Sequence, residues 1–137
     1  MKILIMGLPG SGKTYLSKKL VPMLNAAWYN ADKVRNMSND WDFSREGRDR
    51  QSKRMRTFAD FEKKNGRIVI CDFVCPTEET RKNFDADIII WMDTLKESRF
   101  DDTNELFQEP SLVDFHITKW SEDNHKNIAK EIKKWKK

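Results

Sequence analysis

The sequence predicts an α/β protein in which helices cover both faces of a mostly parallel central sheet, giving three αβα layers. Three observations point there. Apolar runs that read as buried strands, Ile3-Leu4-Ile5-Met6, Ile68-Val69-Ile70-Cys71 and Ile88-Ile89-Ile90-Trp91-Met92, alternate with stretches of helical spacing. Strands that alternate with helices are joined by right-handed crossovers, which makes the sheet parallel. Between the first strand and the first helix stands Gly7-Leu8-Pro9-Gly10-Ser11-Gly12-Lys13-Thr14, which fits the P-loop pattern G-x-x-x-x-G-K-[ST] at every fixed position.

In chain order, Lys2–Met6 is the first strand, the glycine-rich loop follows, and a helix covers residues 14–24. A short strand over 26–30 precedes a second helix starting near Asp32. The long helix at 44–65 has Ser44 as N-cap, and Met55, Phe58, Ala59 and Glu62 give the spacing of a half-buried face. Asn65-Gly66 ends it, and 67–71 reads as a central strand. Residues 77–84 form a short helix, 87–92 another buried strand and 115–118 a final short one. A helix from about Glu122 closes the chain, with Ile128, Ala129, Ile132 and Trp135 on its buried side and lysines on the other. Trp120 and Trp135 read as buried helix anchors in preference to marks of a partner surface.

The loop carries the clearest chemistry. Its glycines let successive backbone N–H groups turn inward around phosphate oxygens, and the helix N-terminus adds its positive dipole end. Lys13 reaches the β- and γ-phosphates and the Thr14 hydroxyl ligates Mg²⁺. The implied ligand is a nucleoside triphosphate. In a sheet of this kind ligands sit outside the carboxyl ends of the strands. That rule selects the segments after Met6, Tyr29, Cys71 and Met92.

The 137 residues predict one domain, 1–137, too short for an added regulatory unit. The chain starts almost at its first strand, leaving no room for a cleaved signal, and no apolar stretch is long enough to span a bilayer. A cytoplasmic protein is expected. Charged residues make up 35% of the chain with a net charge of +4, which suits polyanionic small substrates and nucleic acid alike. The excess lies at 45–56 and in the tail at 130–137. Cys71 and Cys75 read as small core residues, since His116 and His125 are too distant to complete a metal site.

Asp32 follows the second strand, where a carboxylate faces the phosphates and can hold Mg²⁺ or accept a proton from an attacking hydroxyl. The same residue also suits the N-cap of the next helix. Arg48 and Gln51, three apart, share a helix face and can present guanidinium and amide to one ligand. Phe43 can stack on a base, or staple the helix end. Asp72, directly after an apolar strand, fits a strand-end acid supporting Mg²⁺.

Together these segments resemble the adenylylsulfate kinase family of P-loop kinases over about residues 1–94. Tyr29-Asn30-Ala31-Asp32-Lys33-Val34-Arg35 resembles the family's L-D-G-D-x-x-R run, and Asp42-Phe43-Ser44 through Arg48, Gln51 and Arg54 resembles its G-F-S-x-x-D-R-x-x-N-x-x-R. Asp72-Phe73-Val74-Cys75-Pro76 resembles S-x-x-S-P, and Trp91-Met92-Asp93-Thr94 a strand ending in V-D-T. The resemblance implies a P-loop kinase fold and transfer of the ATP γ-phosphate to the 3′-hydroxyl of adenosine 5′-phosphosulfate. It implies Asp32 in Mg²⁺ binding and hydroxyl activation, and Arg35 and Arg48 on the phosphosulfate. It further implies Phe43 on the acceptor adenine and Gln51 in place of an asparagine. The chain departs from the family where Asn30 and Ala31 replace the first Asp and the Gly of D-G-D, and where Asp72 replaces a small residue. A short, partly acidic stretch, 95–104, stands in place of a longer lysine-rich lid, with Arg99 as the cation to close over the ATP phosphates.

Two other readings keep the loop. One moves the acceptor to a hydroxyl of a nucleoside or polynucleotide, with 45–56 tracking a phosphate backbone. The other is a nucleotide-binding module without transfer activity. A small nucleotide substrate is favoured over nucleic acid, no membrane partner is expected, and the oligomeric state stays open.

Overall fold

In the computed structural model, which describes residues 1–135, five strands form one sheet in the order β2-β3-β1-β4-β5. Lys136 and Lys137, the end of the basic tail, lie outside the described residues. The middle strand is β1 (Lys2–Met6), between β3 (Val69–Asp72) and β4 (Ile88–Met92), while β2 (Ala27–Asn30) and β5 (Phe115–Ile117) are the edges. Every pairing is parallel. The expectation of a mostly parallel sheet is met by a wholly parallel one. The segments leaving β1 and β4 therefore emerge side by side at the carboxyl edge, where such sheets bind ligands.

Strand pleating splits the core in two. Ile3 and Ile5 of β1 join Leu16 and Leu20 of α1 (Lys13–Leu24) and Ile128 and Ile132 of α6 (Asn124–Trp135). Leu4 and Met6, pointing the other way, join Val34 of α2 (Ala31–Ser38), Met55 and Ala59 of α3 (Arg45–Lys64) and Phe84 of α4 (Glu78–Phe84). All five residues of β1 are buried, which is why four of them, Ile3, Leu4, Ile5 and Met6, read as one unbroken apolar run.

The α3 cap falls where the sequence puts it, and α4 opens on a capping box. Ser44 Oγ accepts from Gly47 N at 3.2 Å, and Thr77 and Thr80 form a reciprocal capping box. At the opposite edge of the sheet Lys2 is buried, its ammonium bonded to Asp60 at 2.6 Å and to the Phe84 carbonyl.

Two expectations are corrected. Residues 101–106, read as part of an open stretch, form α5 (Asp101–Leu106), a helix with no buried residue and hence no apolar period to betray it. Trp120 and Trp135 are 50% and 46% exposed rather than buried anchors. Trp135 ends α6 and tilts against Phe115 at 5.5 Å instead of entering the core. Beside α4, Gln108 N donates to the Pro76 carbonyl at 2.7 Å and its side chain accepts from Glu78 N at 2.9 Å, while Phe107 packs against the core cluster that holds Leu4 and Met6. Among the described residues no helix is long and apolar enough to cross a membrane.

Candidate functional site

The loop after β1 is shaped by two close approaches. Gly7 has φ 152°, and a Cβ there would lie 2.5 Å from the Met92 carbonyl oxygen. Gly12, at φ 104°, caps α1 in the left-handed region, and a Cβ there would fall 1.9 Å from the Trp120 indole. Thr94, just past β4, donates its hydroxyl to the Ser11 carbonyl at 2.8 Å and ties the loop to the sheet. Ser11 Oγ is fully buried and, among the described residues, has no hydrogen-bond partner. A buried hydroxyl in that state is the kind of group a bound ligand or water satisfies.

Lys13 is folded back on its own loop, donating to the Gly7 carbonyl at 2.9 Å and the Leu8 carbonyl at 3.0 Å. Burial lowers its pKa to about 8, against the opposing pull of Asp72 and then Asp32. Both strand-end acids named from the sequence thus lie within electrostatic reach of the loop amine.

Asp72 closes β3 and is 2% exposed. Its two oxygens accept from Trp28 Nε1 at 2.8 Å and from Asn30 Nδ2 at 2.6 Å. The same Asn30 amide lies 3.2 Å from the Thr14 hydroxyl. Asn30 Oδ1 accepts from Lys33 N at 3.0 Å, so Asn30 is the N-cap of α2 and Asp32 is not. Asp32 stands exposed in the first turn, with no hydrogen bond or ion pair of its own among the described residues. That leaves its carboxylate for a ligand.

These donors fit Mg²⁺. Thr14, Asp72 and Asp32 offer hard oxygens, and among the described residues no group of three or more His, Cys, Asp or Glu builds an all-protein cage. A magnesium ion that keeps most of its shell as water and phosphate, with one or two protein oxygens, needs no such cage.

On the rim beside Asp32, Arg35 is buried, donating to the carbonyls of Asp40 at 2.8 Å and Asp42 at 3.2 Å. Its guanidinium lies 4.3 Å from the Phe43 ring centroid, and Phe43 is 54% exposed. Burial lowers the Arg35 pKa, and Asp40, Arg54, Asp32 and Arg48 are the charges acting on it. Asp32, Arg35, Phe43 and Arg48 are therefore gathered at one edge. Arg48 pairs with Asp102 of α5 at 3.2 Å, so the segment after β4 reaches across to α3.

Gln51 departs from its expected role. It is buried, its amide nitrogen donating to the Ala31 carbonyl at 3.0 Å and its oxygen accepting from Arg54 at 3.2 Å. It braces α2 against α3 rather than facing a ligand. Arg99 is exposed, its guanidinium 5.1 Å from the Phe100 ring, and lies over that ring rather than over the loop.

The basic run at 45–56 is largely neutralised. Arg50 and Arg54 grip Asp40 at 2.7 and 2.6 Å, which holds its carboxyl well below the usual range, and Lys53 and Arg56 pair with Asp49 and Asp60. Cys71 and Cys75 are free, buried thiols with pKa values raised by that burial, as expected of core residues.

Sequence reasoning missed four contributors. Asn30 and Trp28 act through hydrogen bonds between neighbouring strands that linear spacing does not display. Tyr15 and Trp120 meet edge to face at 5.0 Å beside the loop and, with Ser121 and Glu122, line a cleft of about 430 Å³. Their exposure next to a glycine-rich loop is visible only in three dimensions.

Residues 1–101 match the family model described as adenylylsulphate kinase. A probable adenylyl-sulfate kinase of Aeropyrum pernix is 38% identical over 84 residues, 55% of this chain and 44% of that protein. An adenylyl-sulfate kinase of Chloroflexus aurantiacus is 38% identical over 81 residues, with the same shares. The match thus spans less than half the length of these relatives. The Mycobacterium tuberculosis APS kinase CysC, solved in complex with AMPPNP and APS, superposes with TM-score 0.72 at 18% identity over 97% of this chain and 95% of that one. Shikimate kinase of Aquifex aeolicus reaches TM-score 0.63 at 19% identity over 98% and 95%. At such identities the structural likeness is one of fold: α/β, three-layered, with the P-loop kinase topology. With the family model matched over residues 1–101, the chain belongs to the adenylylsulphate kinase family.

Proposed function

We propose that this protein is a Mg²⁺-dependent kinase that transfers the γ-phosphoryl group of ATP to the 3′-hydroxyl of adenosine 5′-phosphosulfate, with residues 1–137 acting as one catalytic domain. The observation that carries the reading is the convergence at the loop: Thr14 linked through Asn30 to Asp72, Lys13 within electrostatic reach of Asp72 and Asp32, and Arg35, Arg48 and Phe43 on the same rim. Family membership and the curated relatives support it.

On nucleotide binding Lys13 exchanges the Gly7 and Leu8 carbonyls for phosphate oxygens, and the loop N–H groups complete the cradle. Thr14 and Asp72 would hold the magnesium ion, with Asp32 facing it; the ion's part is to neutralise phosphate charge and fix the transferring group. Arg35 and Arg48 neutralise the phosphosulfate, Arg48 leaving Asp102 to do so, and Phe43 offers its open face to the acceptor adenine. Arg99 swings from Phe100 toward the phosphates as the segment after β4 closes. Asp32 aligns the 3′-hydroxyl and accepts its proton as the oxygen–phosphorus bond forms and the bond to the ADP oxygen breaks. Catalysis is then positioning and charge neutralisation, without a covalent enzyme intermediate.

The cleft at Tyr15 and Trp120 is where the donor base would lie, beside the loop rather than on the acceptor rim.

A coupled assay of ADP release with a panel of acceptors tests the proposal. Release with adenosine 5′-phosphosulfate alone is expected. Release only with nucleosides or oligonucleotides reassigns the acceptor, and no release with any acceptor leaves a binding module.

A further inference from the structure

The carboxylate this chain lacks at the end of β2 stands one strand over. We propose that Asp72 supplies the negative charge at this pair of neighbouring strand ends, where β2 offers only the Asn30 amide, with Asn30 and Trp28 as positioning residues that aim it at the metal-bound triphosphate. The proposal rests on the reading of residues 7–14 as a triphosphate site.

Asn30 and Asp72 are the last residues of their strands and are directly opposite in the β2–β3 register. In a parallel pair, opposite residues present their side chains to the same face. The orientation of the Asn30 amide follows from its bonds: Oδ1 is used by Lys33 N, so Nδ2 faces Asp72 and Thr14. Trp28 Nε1 is a donor only and aims at the other oxygen of Asp72. Two N–H donors thus converge on one nearly buried carboxylate, which fixes it as an acceptor and holds it in place.

An exchange of the two residues preserves this arrangement. An asparagine at 72 presents its carbonyl to Trp28 and its amide to an aspartate at 30. That aspartate still caps α2, because aspartate accepts from the helix N–H as asparagine does. One negative charge remains at the strand ends in either form. Asp72→Asn alone deletes the charge at nearly constant volume and turns its new N–H₂ toward one of the two donors, Trp28 Nε1 or Asn30 Nδ2.

The alternative is that Trp28, Asn30 and Asp72 only stitch the edge strand to the sheet. The two roles differ in what they do to metal dependence. Calorimetric titration of AMPPNP with Mg²⁺, and again with EDTA, measures the gain in affinity that the metal brings. Asp72→Asn is expected to cut that gain by about tenfold to a hundredfold while leaving the EDTA affinity near that of the parent protein. Trp28→Phe, which removes the N–H and keeps the ring, is expected to cut the gain by about tenfold. The Asn30→Asp/Asp72→Asn exchange is expected to restore it to within about threefold of the parent.

A gain unchanged in Asp72→Asn, or an exchange as impaired as that single change, overturns the proposal and leaves the triphosphate site standing. Equal loss with and without metal overturns it in favour of the stitching role. A parent protein that binds no AMPPNP under either condition removes the triphosphate reading and this proposal with it. Thermal melts identify unfolded variants, and the two near-isosteric single changes decide the matter if the exchange does not fold.

Discussion

Lys13 sits where its charge is least favoured in the free protein. Burial brings its pKa from 10.5 to about 8. Between those values the unfolded chain holds the extra proton, so this residue makes stability rise with pH across that window, and below it the whole penalty applies. Lys13→Met should therefore leave the thermal midpoint at pH 7 unchanged or raised, while abolishing ATP binding; a clearly lowered midpoint in scanning calorimetry contradicts this. Phosphate oxygens restore the amine's preference for its proton. Nucleotide titrations near pH 8.5 should accordingly show proton uptake, seen as binding heats that vary with the buffer's ionisation enthalpy, and buffer-independent heats would count against it. Asp32 is the complementary case, an exposed acid without an internal partner among the described residues. Asp32→Asn should lower turnover by roughly 10²–10⁴ with ATP affinity within about twofold, and an unchanged steady-state rate removes Asp32 from the chemistry.

At the scale of elements, sequence and structure agree wherever a local signal exists. Ser44 before α3, Asn65-Gly66 after it and the apolar runs of β1 and β4 are local signals, and each element falls within a residue or two of its expected place. Strand β3 starts later than 67 because Arg67 and Ile68 serve the turn and the edge strand, Ile68 accepting from Ala27 N. The helix α5 escaped because none of its residues is buried, so no apolar period marks it. The loop was legible for the same reason that α5 was not: its chemistry is contiguous, with glycines, lysine and threonine in one octet. The Asn30–Asp72 pair is separated by 42 positions and becomes a unit only through strand register. Elements also carry predictions. Gly12→Ala meets both a left-handed φ and the Trp120 ring, and should cost more than about 1 kcal/mol in denaturant unfolding and weaken nucleotide binding. A fully stable, fully binding variant would show that the ring yields freely.

The whole molecule places the loop, from the centre strand, and the residues proposed for the acceptor, from the β2 side, on one edge of a parallel sheet. The basic run at 45–56 does not form an open track for a polymer, because Arg48, Arg50, Lys53, Arg54 and Arg56 are each paired with an acid. Fluorescence anisotropy with single-stranded DNA at about 150 mM salt should therefore show no binding tighter than the non-specific micromolar range, and tight, steeply salt-dependent binding would favour a polynucleotide acceptor. The fold was legible from alternation alone, whereas the acceptor site required tertiary proximity to bring Phe43 and Arg35 within 4.3 Å. Everything rests on a loop that grips a triphosphate through Lys13. Calorimetric titration of Mg²⁺–ATP into the parent protein and into Lys13→Ala measures this directly. Saturable one-site binding in the parent and none in the variant is the expected result; no binding by the parent, or equal binding by both, contradicts it.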